Sequence, residues 1–437
     1  MAKQRTRTRR GRRQRRANTP STPLDQYKAK QVVAAEAKRQ TMKKRRAKSK
    51  AKAKAPQQDG QHATLLAQAA RRARRERWAQ IAEETRKVVL GDGKYVEERR
   101  APSVLSAIAQ SSQGQVFSSV THIHHDISAS ILLSRQGTTF YPHYSPDLAE
   151  WKKYLPTMPR PPATIQFISN STLTAARQLA AARGQPYAQS TDIGVLSFAN
   201  PKRSGGGYLH GGDEQEETIA RLSTLVASLD APAAKDFYKE HRNFRSSDGS
   251  GLHDHSMVYS PSVVVFRRDA DDTTFTDRAP IFDLPGGNDD LGGEFISPYV
   301  VNVLSAVPVN AAAVRAKHDI EPGKENLFED GIRSVMKERM ARALRAFELT
   351  GNKILVLGAF GCGTCENKVE MVAEIWAELL VCGETINDVR HEARFKNSFE
   401  QIVFAVPRKM SDSFQKAFSN RELMERVSGA MSPVPNA

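Results

Sequence analysis

Ser204-Gly-Gly-Gly-Tyr-Leu-His-Gly-Gly-Asp-Glu-Gln-Glu-Glu217 joins a triple glycine to two adjacent carboxylates, with seven residues between Gly207 and Gln215. Immediately before it, Ile193-Gly-Val-Leu-Ser-Phe-Ala199 is a mainly apolar run that turn residues follow, the pattern of a short buried strand. After it, Ile219, Leu222, Val226 and Leu229 recur at helical spacing. The stretch therefore predicts a strand-to-helix loop in which Gly205, Gly206 and Gly207 let backbone N–H groups approach a phosphate or ribose that a Cβ would repel. Asp213 and Glu216 have the spacing of a capping box, so Glu216 is read either as a helix cap or as a ligand contact. Glu217 has no cap to explain it. It lies in the first turn beside the glycines, where a bound sugar would sit, and its bland reading is a solvated acid favoured by the helix dipole.

Outward from this unit the same alternation continues. Thr164-Ile-Gln-Phe-Ile168, Val263-Val-Val-Phe266, Val300-Val-Asn-Val-Leu304, Ile354-Leu-Val-Leu357 and Gln401-Ile-Val-Phe-Ala-Val406 read as strands, and Leu173, Ala176, Leu179 and Ala180 mark a helix face. The expectation is an α/β domain with helices on both faces of a mixed sheet. Upstream, Leu65 to Leu90 reads as a helix with Trp78, Ile81, Thr85, Val88 and Val89 on one face, ended by Gly91-Asp-Gly93. The expected division is a basic tail at 1–60, a helical and irregular accessory segment at 61–160, the α/β domain at 161–410, and a short C-terminal helix and tail at 411–437.

A second glycine-rich loop, Gly358-Ala-Phe-Gly-Cys-Gly363, follows a buried strand and precedes a helix whose inner face is Val369, Val372, Trp376 and Leu379. Available N–H groups and a helix dipole are what a diphosphate needs, which makes Gly361, Cys362, Gly363 and Thr364 candidate ligand contacts. Leu284-Pro-Gly-Gly-Asn-Asp-Asp-Leu-Gly-Gly293 is also glycine-rich, but no helix follows and its aspartates would repel an anion; it reads as a mobile insertion. Cys362-x-x-Cys365 is a single pair with no second, insufficient for a zinc or redox site.

The net charge of +17 is unevenly placed: residues 1–60 hold 21 Lys/Arg and 3 Asp/Glu, leaving 44 basic and 45 acidic residues elsewhere. The two basic clusters, Arg5 to Arg16 and Lys43 to Lys54, have too few apolar residues to offset the entropy of ordering and read as disordered. They fit a nuclear-localisation signal or a phosphate-binding arm that touches nucleic acid, with a solubilising tail as the bland reading. A nuclear protein, shared with the cytoplasm, is expected. No apolar run is long enough to span a membrane, and no membrane partner is expected. Three cysteines cannot form a disulfide framework, as in a reducing compartment.

Thr121-His-Ile-His-His-Asp126 is the competing chemical motif. His122 and His124 share a strand face, and His-x-His-x-Asp is similar to a metallo-hydrolase ligand cluster. Its pattern breaks at Ile127, and His253 and His255 are the only further ligands nearby in type. A metal-dependent hydrolase is therefore an alternative reading, and the main expectation is no metal and no cofactor.

Gly-Gly-Gly, a short spacer and Gln-Glu-Glu resemble the signature of the poly(ADP-ribose) glycohydrolases, and the chain from about Arg75 to Val406 resembles their microbial-type macrodomain branch. Ser197-Phe-Ala-Asn-Pro201, Asp254 with Met257-Val-Tyr-Ser-Pro261, and Gly358 to Gly363 carry the same resemblance. It implies a macrodomain that hydrolyses ribose–ribose bonds of poly(ADP-ribose). On it, Glu217 is the general acid, Glu216 orients substrate hydroxyls, and Gln215, Asn200 and Asp254 line the pocket. The distal ribose lies against Gly205 to Gly207 and the diphosphate on Gly361 to Thr364. The implied partners are poly(ADP-ribose) or ADP-ribosylated proteins. The sequence departs from the family at Cys365, where relatives have an aromatic, and at Glu366, where they have a basic residue; this keeps open a non-catalytic ADP-ribose reader.

Overall fold

The computed structural model describes residues 58–100, 120–153, 160–184, 191–243, 249–272, 290–317, 323–386 and 389–431. The basic clusters before residue 58, with the localisation and nucleic-acid readings attached to them, lie outside the described residues, as does most of the insertion at 284–293. The chain divides into two compact units, Met1–Leu66 and Ala67–Ala437. The main sheet and the cavity at its strand ends belong to the second.

In chain order the elements are α1 (Gln58–Leu90), β1 (Lys94–Arg100), β2 (Val120–Asp126), α2 (Ser128–Gly137), β3 (Thr139–Tyr141), α3 (Pro146–Ala149), β4 (Thr164–Ile168), α4 (Thr172–Arg183), β5 (Ile193–Phe198), α5 (Gln215–Leu222), α6 (Leu225–Leu229), α7 (Lys235–Asn243), β6 (Met257–Arg267), β7 (Phe295–Ala306), α8 (Ala311–Lys317), α9 (Glu325–Leu349), β8 (Ile354–Leu357), α10 (Val369–Ala377), β9 (Glu384–Ile386), β10 (Val389–His391), β11 (Gln401–Ala405) and α11 (Arg408–Met431). Seven strands form one mixed sheet in the order β3-β6-β7-β5-β8-β11-β4. From β7 to β4 the strands are parallel, while β6 and β3 run antiparallel at one edge. The α/β expectation with a mixed sheet holds, because the central strands are apolar on both faces and need helices on each side.

Side-chain alternation sorts these strands between two cores. Leu196, Leu355, Leu357, Ile402 and Phe404 pack into a cluster with α9, α10 and α11. Ile193, Val195, Ile354, Val356 and Val403 face the other way, against Leu173, Ala176, Ile219 and Leu222 of α4 and α5. Ile81 of α1 joins that second cluster and is fully buried.

Four features lie beyond the sequence expectation. Thr139–Tyr141 pairs with β6 and so forms an edge of the main sheet, although it falls in the segment read as accessory. The 25-residue helix α9 lies in a stretch read without a helix, and α11, expected to be short, spans 24 residues. In β6 the register shifts between Ser260 and Val263, and Ser262 adopts a positive φ of 53°. Pro261 has no N–H to give the ladder, and a bulge is where a strand tolerates that. Among the described residues no helix is long and apolar enough to cross a membrane.

Candidate active site

A cavity of about 840 Å³ opens where the parallel strands end. Its walls are the segments that leave those strands: Asn170 to Leu173 after β4, Phe198 to Lys202 after β5, Val307 and Pro308 after β7, Ala359 to Cys365 after β8, and Ala405 and Pro407 after β11. Open α/β sheets bind ligands in this crevice because the loops from several strands converge there.

The glycine stretch forms the strand-to-helix loop that its spacing predicts, but the helix begins one residue later than expected. Glu214 is the N-cap in extended conformation, and the capping box is Glu214 with Glu217, not Asp213 with Glu216. Glu217 Oε2 accepts the N–H of Glu214 at 3.0 Å and its Oε1 accepts the N–H of Gly207 at 2.6 Å. The reading that Glu217 has no capping role is thus corrected. Its carboxylate is fixed at the helix start by two N–H donors while still lining the cavity.

The glycines make room for that carboxylate. A Cβ on Gly212 would lie 2.1 Å from Glu217 Oε2, and one on Gly206 or Gly207 would lie 2.9 Å from Oε1. Gly205 and Gly206 have φ of +64° and +57°, a turn that residues with a Cβ rarely make. The N–H groups of the triple glycine go to the protein itself: Gly206 donates to Arg203 O, Gly207 to Glu217, and Gly205 to Glu216. None of the three lines the cavity. Their expected contact with ligand is therefore replaced by contact with the two glutamates.

Glu216 is the buried member of the pair, 1 % exposed, yet it reaches the cavity wall. Its Oε2 accepts the N–H of Asn200 at 2.6 Å, and its Oε1 has no partner. Burial pushes its pKa up to about 8 and the charge of Glu217 adds to this, against the N–H bonds from Asn200 and Gly205. Glu216 is therefore the carboxyl that holds a proton near neutral pH.

Gln215 and Asn200 also lie on the wall, but their polar atoms mostly build the loop. Gln215 Oε1 accepts from Phe198 N and its Nε2 donates to Leu196 O, each at 2.8 Å, tying α5 to the end of β5. Asn200 Oδ1 accepts from Lys202 N at 2.9 Å, closing the turn that leads into the glycines. Asp254 is buried in the wall, 2.6 Å from His241 Nδ1. Burial would raise its pKa, but the contacts with His241 and Ser256 outweigh this and hold it down at about 2.

Across the cavity, the loop after β8 behaves differently. Gly361 is buried with φ +72°, and a Cβ there would lie 2.5 Å from Pro308 Cβ. Gly363 and Thr364 are exposed and line the cavity, and a Cβ on Gly363 would meet nothing nearer than 3.9 Å. Among the described residues the N–H groups of Gly361, Gly363, Thr364 and Cys365 have no acceptor. Asn367 Nδ2 donates to Val309 O at 2.7 Å and to Gly361 O at 3.1 Å, pinning this loop to the end of β7. Cys362 points away from the cavity into the core beside α10, and burial raises its thiol to about 12; Cys365 stays on the wall. A hydrogen bond joins the two loops: the Thr364 hydroxyl donates to the Glu214 carboxylate.

Sequence reasoning missed His241 and Asp269. His241 reaches the wall from α7, thirteen residues before its partner Asp254, and nothing in the local pattern marks it. Asp269 follows the Val263–Phe266 run and accepts from Ser171 Oγ at 2.8 Å; burial and then Asp271 push it up to about 6. The acidic cluster Asp269 to Asp272 after a strand was the available signal.

The histidine motif lies elsewhere. His122 and His124 are exposed on β2, whereas His125 stacks on Tyr95 and pairs with Glu97 at 2.9 Å. Among the described residues no group of three or more His, Cys, Asp or Glu is placed to hold a metal ion.

A family model described as "Microbial-type PARG, catalytic domain" matches residues 106–268, a span that contains the glycine stretch but stops before the loop after β8. Among curated proteins nothing matches. Among solved structures, the chain is similar to poly(ADP-ribose) glycohydrolase from Thermomonospora curvata, at 28% identity and a TM-score of 0.56, over 79% of this chain and 99% of that one. The same enzyme bound to the inhibitor ADP-HPD gives 27% identity and a TM-score of 0.53 over the same shares. The family match over residues 106–268, the likeness over nearly the whole of the solved chain, and a glutamate pair on a glycine loop at the strand ends together make this chain similar to the microbial-type poly(ADP-ribose) glycohydrolases.

Proposed function

We propose that the cavity holds the terminal ADP-ribose unit of a poly(ADP-ribose) chain and that Glu217 is the general acid that releases it. The observation that carries this is the opposition of two loops across one cavity: fixed carboxylates on one side, N–H groups without acceptors among the described residues on the other. A diphosphate fits the second loop, where a backbone anion site needs no side-chain charge. The unit's distal ribose then lies beside the glutamates.

Cleavage proceeds with proton donation from Glu217 to the departing 2′-oxygen. The glycosidic C–O bond breaks, positive charge develops on the ribose as an oxocarbenium-like centre, and water adds to that carbon and returns a proton to the carboxylate. Glu216, protonated by burial, offers its unpartnered Oε1 to a ribose hydroxyl. Asp254, held as a carboxylate by His241, supplies an acceptor at the far wall.

No step of this reading needs a metal. Purified protein is therefore expected to release free ADP-ribose from the polymer at the same rate with and without a chelator. Loss of release on chelation, restored by a divalent cation, would contradict it.

A further inference from the structure

A second hollow, of about 540 Å³, lies behind the glycine loop, lined by Arg71, Arg72 and Arg75 of α1 and by Leu209 and His210 of the loop itself. It shares no wall residue with the main cavity. Gly207 and Gly212 both abut the Glu217 carboxylate, and the short helical turn Tyr208–His210 between them presents its outer side to α1. The join is tight. Arg75 Nη2 donates to His210 O at 3.5 Å, and a Cβ on Gly211 would lie 2.0 Å from the carbonyl oxygen of Arg75.

The hollow is basic beyond its local balance. Arg72 pairs with Glu76, the acidic residue in the wall, whereas Arg71 has no ion pair among the described residues and Arg75 spends its guanidinium on a carbonyl. Arg71, Arg72 and Arg75 all expose their side chains. Recurrence at 71, 72 and 75 puts them along one side of the helix, at the spacing that i, i+3 and i+4 neighbours share. A helix that existed only to cover the core would need no such stripe over the back of a catalytic loop.

We propose that this arginine-lined hollow binds the pyrophosphate of the next unit of the polymer, on the leaving-group side of the scissile bond. The inference rests on the reading of the main cavity as the site of the terminal unit. Cleavage beside Glu217 divides the substrate at the glycine loop, so the unit being released occupies the main cavity and the remaining chain leaves past the loop. That remaining chain carries two negative charges per unit, and guanidinium groups pair with phosphate in fork geometry.

The test compares full-length protein with the Arg71→Ala/Arg72→Ala variant, which leaves the Arg75 contact with the loop in place, on polymer of ten or more units, on the two-unit fragment, and on ADP-ribose. The variant should raise KM for long polymer about tenfold and flatten the salt dependence of binding by about 1.4 in log–log slope, at roughly 0.7 for each of the two phosphates that an arginine no longer pairs. ADP-ribose affinity and kcat should be unchanged, and circular dichroism should show α1 retained. Equal KM and equal salt slope in the two proteins would overturn the proposal. So would a variant that loses competition by double-stranded DNA but keeps its KM for polymer, since the hollow would then serve nucleic acid. If unaltered protein releases no ADP-ribose, the cavity reading fails first, and direct binding of polymer still decides the hollow.

Discussion

The loop after β5 and the loop after β8 are both rich in glycine, follow buried parallel strands and meet the same cavity, yet their N–H groups go to different places. In the first, Gly205 and Gly207 donate to Glu216 and Glu217, and the missing Cβ atoms make space for the Glu217 carboxylate. In the second, the N–H groups of Gly361, Gly363, Thr364 and Cys365 have no acceptor among the described residues. A run of glycines thus signals close approach to backbone, but the approaching group can be the protein's own acid or a ligand. This difference is what the proposed division between an acid loop and a binding loop rests on.

The largest expected effect breaks the first loop from within. Gly212→Ala keeps an ordinary backbone, because Gly212 does not have a positive φ, but its methyl would fall on the Glu217 carboxylate. Turnover should drop by about two to four orders of magnitude, the range for losing a general acid, with Tm close to that of the unaltered protein. Unchanged turnover would mean that the carboxylate does not act from this position.

Glu216 adds a pH dependence to stability. Its pKa rises from 4.5 in the unfolded chain to about 8 in the folded one, so between these values the native state binds a proton that the unfolded state has released. Stability from this group is therefore lost as pH rises from 4.5 to 8 and does not return above it. Glu216→Gln removes the titration while keeping an acceptor for Asn200 N–H. It should stabilise the protein by about 4 kcal/mol at pH 8 and little at pH 4.5, as read from denaturant midpoints. A parallel shift at both values would place the proton elsewhere.

In the second loop, two glycines two residues apart should respond unequally. Gly361→Ala meets Pro308 and a left-handed φ and should cost about 1–3 kcal/mol. Gly363→Ala enters open space and should change stability by less than about 0.5 kcal/mol. Equal losses would show that Gly363, too, is structural.

The smallest effect concerns the bridge between the loops. Glu214→Gln removes a negative charge that hydrogen-bonds Thr364 at the site read for the diphosphate. ADP-ribose should bind about two- to fivefold more tightly, below about 1 kcal/mol, and calorimetry would show whether affinity falls instead.

Much of this was legible from residues alone. Apolar runs such as Ile354–Leu357 and Ile402–Ala405 mark strands of the sheet, and the strand-loop-helix order around Gly205 follows from turn residues between two apolar periodicities. What could not be read is set by contacts distant in sequence. The helix start moved by one residue because Gly207 N–H holds Glu217, and that exchanged the capping role between the two glutamates. The three-residue edge strand at Thr139 exists only because β6 offers it a partner, and His241 reaches Asp254 only after α7 folds back on the wall. Local propensity contains none of these.

The division of labour between the loops is tested most directly by measuring kcat and ADP-ribose Kd side by side for Glu217→Gln and Gly363→Val. The predicted result is a crossing: Glu217→Gln loses about two to four orders of magnitude in kcat with Kd within a few-fold, while Gly363→Val weakens Kd by at least about tenfold, 1.4 kcal/mol, with kcat at saturation largely kept. If both substitutions move the same parameter, or if Glu217→Gln turns over normally, the two loops do not divide acid and ligand between them.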